Sequence, residues 1–225
     1  MAITLLQSIS GAFLSETLPS GTTTGRVIVT VMAQATPVGN FIIGMAPISG
    51  VTWVKINPVS QSHGTYQQVL AIFEGYNVPN GTTAFSATAT GSNSANINSS
   101  QITIMEFSGL DSSTSSALDQ YNTSSVSGPT VSTPSITPAN PNELWIGYVC
   151  GTADTTTSNP GSPSNSWTSV SSSSYWYYGT AYYVSSDSSS HTTSWTFGSS
   201  NSAITNVATF KKAPVTTGDF FQFFT

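Results

Sequence analysis

Three carboxylates border the apolar runs of this 225-residue chain: Glu74, Glu106 and Asp111. Glycoside hydrolysis would need two carboxyl groups about 5 to 9.5 Å apart across a sugar-binding cleft, and the spacing of these three follows no such motif. Alternation places Glu106 on the same face of residues 102–107 as Ile102 and Ile104. A carboxylate there is expected to be hydrogen-bonded by nearby backbone and hydroxyl groups. His63 and His191 sit in polar turns with no neighbouring Cys, His or acidic loop to complete a metal site, and both read as surface loop residues. The many serines form no Gly-x-Ser-x-Gly elbow, and no Walker-type loop is present. Cys150 is the single cysteine, so it can form no intrachain disulfide or Cys-based zinc cluster and is expected to pack as a small hydrophobe. No catalytic residue, cofactor or metal site is expected.

Binding chemistry is better represented. Tyr175-Trp176-Tyr177-Tyr178 is an aromatic stretch whose alternation puts Tyr175 and Tyr177 on one face and Trp176 and Tyr178 on the other. Amphipathic aromatics of this kind serve cores, protein interfaces and sugar-stacking platforms. The tail carries Phe220, Phe221, Phe223 and Phe224. Burying each is worth roughly 1.5 to 3 kcal/mol, so they are expected to pack on the parent domain or on a neighbouring subunit. These eight residues are the candidate partner-binding set. Asn-x-Ser/Thr triplets begin at Asn80, Asn98 and Asn122, as chance predicts in so Ser/Thr-rich a chain.

The elements that hold these residues must come from an unusual composition. Only 6% of residues are charged and the net charge is −5, against about 25% charged in an ordinary domain. Hydroxyls and amides must supply solubility. With 38% hydrophobic and 11% aromatic residues the chain is a packed protein rather than a disordered one. Four fixed cations, Arg26, Lys55, Lys211 and Lys212, offer no surface for nucleic acid. No stretch reaches transmembrane length, and residues 1–14 lack the basic start and apolar run of a secretory signal, so cytoplasmic synthesis without a membrane partner is expected.

Short β-branched and aromatic runs between Gly, Pro, Asn and Ser clusters predict about ten strands and no helix. Residues 36–107 and 137–210 read as two diverged copies of one strand pattern. Gly39-Asn40-Phe41-Ile42-Ile43-Gly44 aligns with Asn142-Glu143-Leu144-Trp145-Ile146-Gly147, Thr52-Trp53 with Ser166-Trp167, Ala71-Ile72-Phe73 with Ala181-Tyr182-Tyr183, and Phe85 with Trp195. Residues 102–107 align with 205–210. The Ser/Thr-rich connector is either an interdomain linker or a crossover within one sandwich. The crossover is preferred because two four- or five-stranded sheets bury each other well. The expected fold is all-β, an antiparallel, jelly-roll-like β-sandwich over residues 26–213, with halves 26–107 and 137–213 joined by the crossover 108–136. Residues 1–25 would form an arm or edge strand, and residues 214–225 an aromatic tail.

Taken in order, Gly39-Asn40-Phe41-Ile42-Ile43, Thr52-Trp53, Gly81-Thr82-Thr83, Glu106-Phe107-Ser108-Gly109-Leu110-Asp111, Leu118-Asp119, Asn142-Glu143-Leu144 and Ala208-Thr209-Phe210 resemble a duplicated β-sandwich domain of tailed-phage virion proteins and bacterial surface proteins. The acidic turn usual before Thr-Trp in that family is Ser49-Gly50-Val51 here, so no acidic ligand-binding role is carried to that loop, and the family supplies no catalytic residues. The resemblance implies a non-enzymatic structural virion protein, a capsid decoration or cement protein or a tail or fibre accessory. Such a protein would contact other virion proteins and copies of itself on the virion surface. The alternative is a carbohydrate-binding or adhesive module on an extracellular surface, using Trp and Tyr platforms on host glycans.

Overall fold

The computed structural model describes residues 2–36, 39, 41–63, 66–91, 96–152, 160–173 and 177–214. Among these the chain forms thirteen antiparallel strands and no helix: β1 (Thr4–Gly11), β2 (Ser15–Thr17), β3 (Arg26–Thr36), β4 (Phe41–Met45), β5 (Thr52–His63), β6 (Tyr66–Tyr76), β7 (Ala84–Gly91), β8 (Asn96–Ser108), β9 (Leu118–Ser132), β10 (Leu144–Thr152), β11 (Thr168–Ser173), β12 (Tyr178–Val184) and β13 (Ser194–Phe210). They make two five-stranded sheets, ordered β1-β8-β3-β6-β5 and β11-β12-β10-β13-β9, and a three-stranded sheet β2-β7-β4. Three sheets stand where two were expected.

The third sheet exists because the large sheets are apolar on both faces. In β3, Val27, Val29 and Val31 point one way and Ile28, Thr30 and Met32 the other, and all six are buried. Ile28, Ile56, Ile72, Met105 and Phe107 of the first large sheet meet Leu144, Ile146, Ala208 and Phe210 of the second. The opposite face of the first sheet packs Val29, Phe73 and Ile104 against Ile43 and Phe85 of the small sheet. The opposite face of the second packs Trp145 and Val207 under Trp167, Trp195 and Phe197. The two large sheets therefore bury each other, as expected, and each also carries a second core of its own.

A second apolar cluster, Met32, Leu70, Tyr148, Cys150 and Ile204, lies between the large sheets, and polar groups also bond across this layer. Thr30 and Thr180 hydroxyls lie 3.1 Å apart, as do those of Thr103 and Ser171. Asn206 Nδ2 donates to the Asn57 carbonyl at 3.0 Å, and Gln68 Nε2 to that of Gly151 at 3.3 Å. Such directional bonds fix how the sheets are aligned where apolar packing alone would let them slide.

The halves match bond for bond. Glu16 pairs with Phe85 and Val131 with Trp195. Leu18 N–H donates to the Thr83 carbonyl and Thr133 N–H to that of Thr193, both at 2.9 Å. Ala46 N–H reaches the Ser86 carbonyl at 2.8 Å, and Gly161 N–H that of Thr196 at 3.0 Å. Leu5 pairs with Phe107 and Leu118 with Phe210, and each pair is followed by a bulge. By position β1 and β2 together correspond to β9, β3 to β10, β5 to β11, β6 to β12, and β7 with β8 to β13.

This register corrects one block of the sequence alignment. The partner of residues 142–147 is β3, which like β10 is the central strand of its sheet, and not residues 39–44, whose strand β4 lies in the small sheet. Residues 108–136 are largely the strand β9, and residues 1–25 supply β1 and β2, paired within sheets. Matched tryptophans rest on glycines: a Cβ at Gly75 would meet the Trp53 ring at 2.6 Å, and one at Gly147 would meet Trp167 at 3.0 Å and Trp195 at 3.2 Å.

Candidate interaction surface

The carboxylates singled out for chemistry are engaged in holding loops. Glu74, fully buried in β6, pairs with Arg26 and accepts from the Ser116 hydroxyl and, at 2.8 Å, from the Ala117 N–H. Arg26 Nη2 goes on to the Thr114 carbonyl at 2.5 Å. This ion pair ties the segment before β9 to the first sheet. Glu106, 1% exposed, accepts from Gln7 Nε2 at 2.6 Å and from the N–H groups of Thr23 and Thr24 at 2.6 and 2.9 Å. Burial pushes its carboxyl up, but these bonds outweigh it and hold the group below the ordinary glutamate range. Hydrogen bonding by backbone and hydroxyl neighbours is thus the use the sequence predicts for this group.

Glu143 behaves oppositely: burial raises its carboxyl above the usual range, and the Asp119 charge adds to that, against hydrogen bonds from Thr209 and Asn140. Asp111 accepts from the Ser113 hydroxyl at 2.6 Å and from its N–H at 2.8 Å; the hydroxyl bond chiefly lowers its carboxyl, with burial opposing. It borders an open cleft of about 390 Å³ with Asn140, Asn142, Lys211 and Lys212. Cys150 is buried, and desolvation pushes its thiol up to about 12, leaving it unreactive.

The aromatic candidates divide. Tyr175, Trp176, Phe220, Phe221, Phe223 and Phe224 lie outside the described residues. Tyr178 opens β12 and is only 6% exposed, packed with Met32, Leu70, Tyr148 and Cys150 between the large sheets, so it is a core residue and not a surface contact. Tyr177 occupies the turn before it with φ 54° and packs against the Trp145 core, half-buried. The strand read from residue 175 begins instead at Tyr178.

A different aromatic group was missed. Trp167 stacks on Tyr183 (5.9 Å, 25°), Trp145 meets Trp167 edge-on, and His191 sits 5.3 Å from Trp145 and 5.0 Å from Tyr183. His191 is therefore a half-buried packing residue bonded to Asp187 at 3.1 Å, rather than a free loop histidine. Its ring partners come from two other strands, β10 and β12, so no local signal announces the packing. Three of these contacts are edge-on and one is stacked, so the rings pack on one another as a cap over the core.

The other feature invisible in the sequence is the set of sheet edges. β1 carries a bulge between Leu5 and Gln7, β5 a bulge beside Pro58 plus Lys55, and β11 is six residues long with a bulge at its middle. β9 is different: its pairing with β13 runs unbroken from Tyr121 to Gly128, and residues 120–132 contain no charge. Tyr121 is 49% exposed there. Against known proteins, the chain matches no family model, no curated protein and no solved structure.

Proposed function

We propose that this chain is a non-enzymatic structural protein of a bacteriophage particle, a capsid decoration or cement protein or a tail or fibre accessory, working through contacts with other virion proteins and with copies of itself. The observation that carries the reading is the engagement of Glu74 and Glu106 in loop-holding bonds, which leaves the two best-placed carboxylates as structural pins. What remains for function is a surface of hydroxyls and amides with few charges, suited to recognition by shape and hydrogen bonding. Such contacts are only weakly screened by salt. The matched bonds of the two halves support an internal duplication, the two halves forming one jelly-roll-like sandwich packed large sheet to large sheet. A glycan-binding role would need an aromatic face turned to solvent; of the described tryptophan and tyrosine pairs, Trp167 and Tyr183 stack on each other and offer no paired platform.

The test is quantitative mass spectrometry of particles banded from a lysate of the producing culture. The chain should be present in fixed ratio to the major structural proteins and survive a high-salt wash. Its absence from banded particles, or release of reducing sugar from a polysaccharide by the wild-type chain but not by Glu106→Gln, would overturn the reading.

A further inference from the structure

We infer that the outer edge of β9, residues 121–127, is a strand-addition site that takes the same edge of a second copy of this chain, joining two second sheets into one continuous sheet. The inference rests on the reading of the chain as an assembly protein and names the surface through which copies meet. Of the four edges of the large sheets, three are blunted by the devices that keep edges from pairing, namely bulges, a proline, a lysine or shortness. β9 has none of these between Tyr121 and Ser127, and among the described residues no segment pairs with its outer side.

Its backbone shows the vacancy directly. The Thr123 N–H is taken up by the side-chain carbonyl of its own neighbour Asn122, at 2.9 Å, a local substitute for a strand partner. In an alternating strand the N–H groups of Ser125 and Ser127 point the same way as that of Thr123.

The chemistry of the edge selects its occupant. A chain of net charge −5 repels its copies wherever acidic side chains meet, and residues 120–132 carry none. An antiparallel pair with a twofold axis at Ser124 sets Thr123 against Ser125 and Tyr121 against Ser127, and places Asp119 opposite Pro129 rather than opposite another Asp119. Hydroxyl pairs of this kind already join neighbouring strands within the molecule: Thr130 with Thr196 at 3.4 Å and Ser10 with Thr103 at 3.0 Å. A Ser/Thr ladder is thus complementary to itself, whereas the apolar segment Phe220-Phe221-Gln222-Phe223-Phe224 would find little apolar surface on it. Backbone bonds to a narrow edge only just offset the freedom lost on association. Pairing is therefore weak in solution and firm where many copies are held side by side.

Sedimentation velocity of the full chain from micromolar to millimolar concentration, with a single-cysteine scan over residues 121–127, tests this; buried Cys150 does not interfere. Wild type should shift toward dimer with concentration, and mild oxidation should cross-link one position, or two adjacent ones, faster than the rest. Ser125→Pro removes an outward N–H, and the pair Tyr121→Lys with Ser125→Lys sets charge against charge. Each should weaken dimerisation at least tenfold, while Asn80→Lys with Thr88→Lys, of equal charge but remote, should change it less than twofold. A chain monomeric throughout, dimerisation insensitive to the β9 variants, or dimerisation that appears only after deleting residues 215–225 would overturn the proposal. Particle incorporation persisting in those cases would leave the wider reading standing; dimerisation through β9 without incorporation would sink the wider reading alone.

Discussion

The two halves share one backbone plan and hold the loop beside one edge by different side chains. In the first half, Glu106 reaches across to Gln7 of β1 and gathers the N–H groups of Thr23 and Thr24, and Gln7 in turn accepts from the Ser20 N–H at 3.1 Å. The loop after β2 is thereby drawn over the edge. In the second half the matching position is Thr209, whose hydroxyl accepts the backbone N–H of Gln120 at 3.2 Å and bonds to Glu143. A hydroxyl cannot collect three donors, and the loop after β9 is held instead by Asp119, which accepts the Ala139 N–H at 2.6 Å; among the described residues no strand pairs with the outer side of residues 121–127. Changing one side chain at a matched site alters which residues hold the neighbouring loop while the strand order stays the same.

The comparison can be broken at several levels. The strongest challenge is to the matched cores: Phe85→Ala and Trp195→Ala should each cost about 3 to 5 kcal/mol in chemical denaturation, since both side chains are 1% exposed. A small loss at either site would mean that the halves are not equivalent there. Glu74→Ala, which strands Arg26 in the interior, should cost about 3 to 5 kcal/mol, and limited proteolysis should then cut first near residues 112–117. Glu106→Gln should cost about 1 to 3 kcal/mol.

The acid response sharpens the contrast. Because the Glu106 carboxyl is lowered in the folded state, the unfolded chain takes up its proton more readily. Its stabilisation is complete above the ordinary glutamate range and fades as pH falls through the lowered folded value, so the cost of Glu106→Gln should shrink in acid. Glu143 has the opposite sign. Its raised carboxyl makes ionisation unfavourable in the fold, so stability is lost as pH rises through the glutamate range. Glu143→Gln should therefore stabilise the fold at neutral pH and do so less in acid. Thermal melts of both variants from about pH 2.5 to 7 read out the two trends, Glu106 at the acid end and Glu143 toward neutrality, and parallel slopes would contradict the assignment.

Much of the fold was legible wherever a strand has a dry side. The buried run of β3, the tryptophans at 53 and 167, and the match of Phe85 to Trp195 all follow from apolar spacing. Glu106 was legible too, because a carboxylate on an apolar face must find donors. Residues 39–44 were matched to 142–147 because both read as Asn, an apolar run and Gly. Local pattern does not encode which strand lies alongside, and sheet position is a long-range property. β9 read as a connector because an edge strand wet along most of its length has no apolar alternation to show. The cap formed by Trp145, Tyr183 and His191 was hidden for the related reason that its members meet only after the sheets close.

Hydrogen exchange of β1 and β9 at rising protein concentration measures the difference between the two edges most directly. Amides of residues 121–127 should gain protection as concentration rises, while those of β1 exchange at a constant rate. Exchange in β9 that ignores concentration, or protection that grows in β1 instead, would contradict the account.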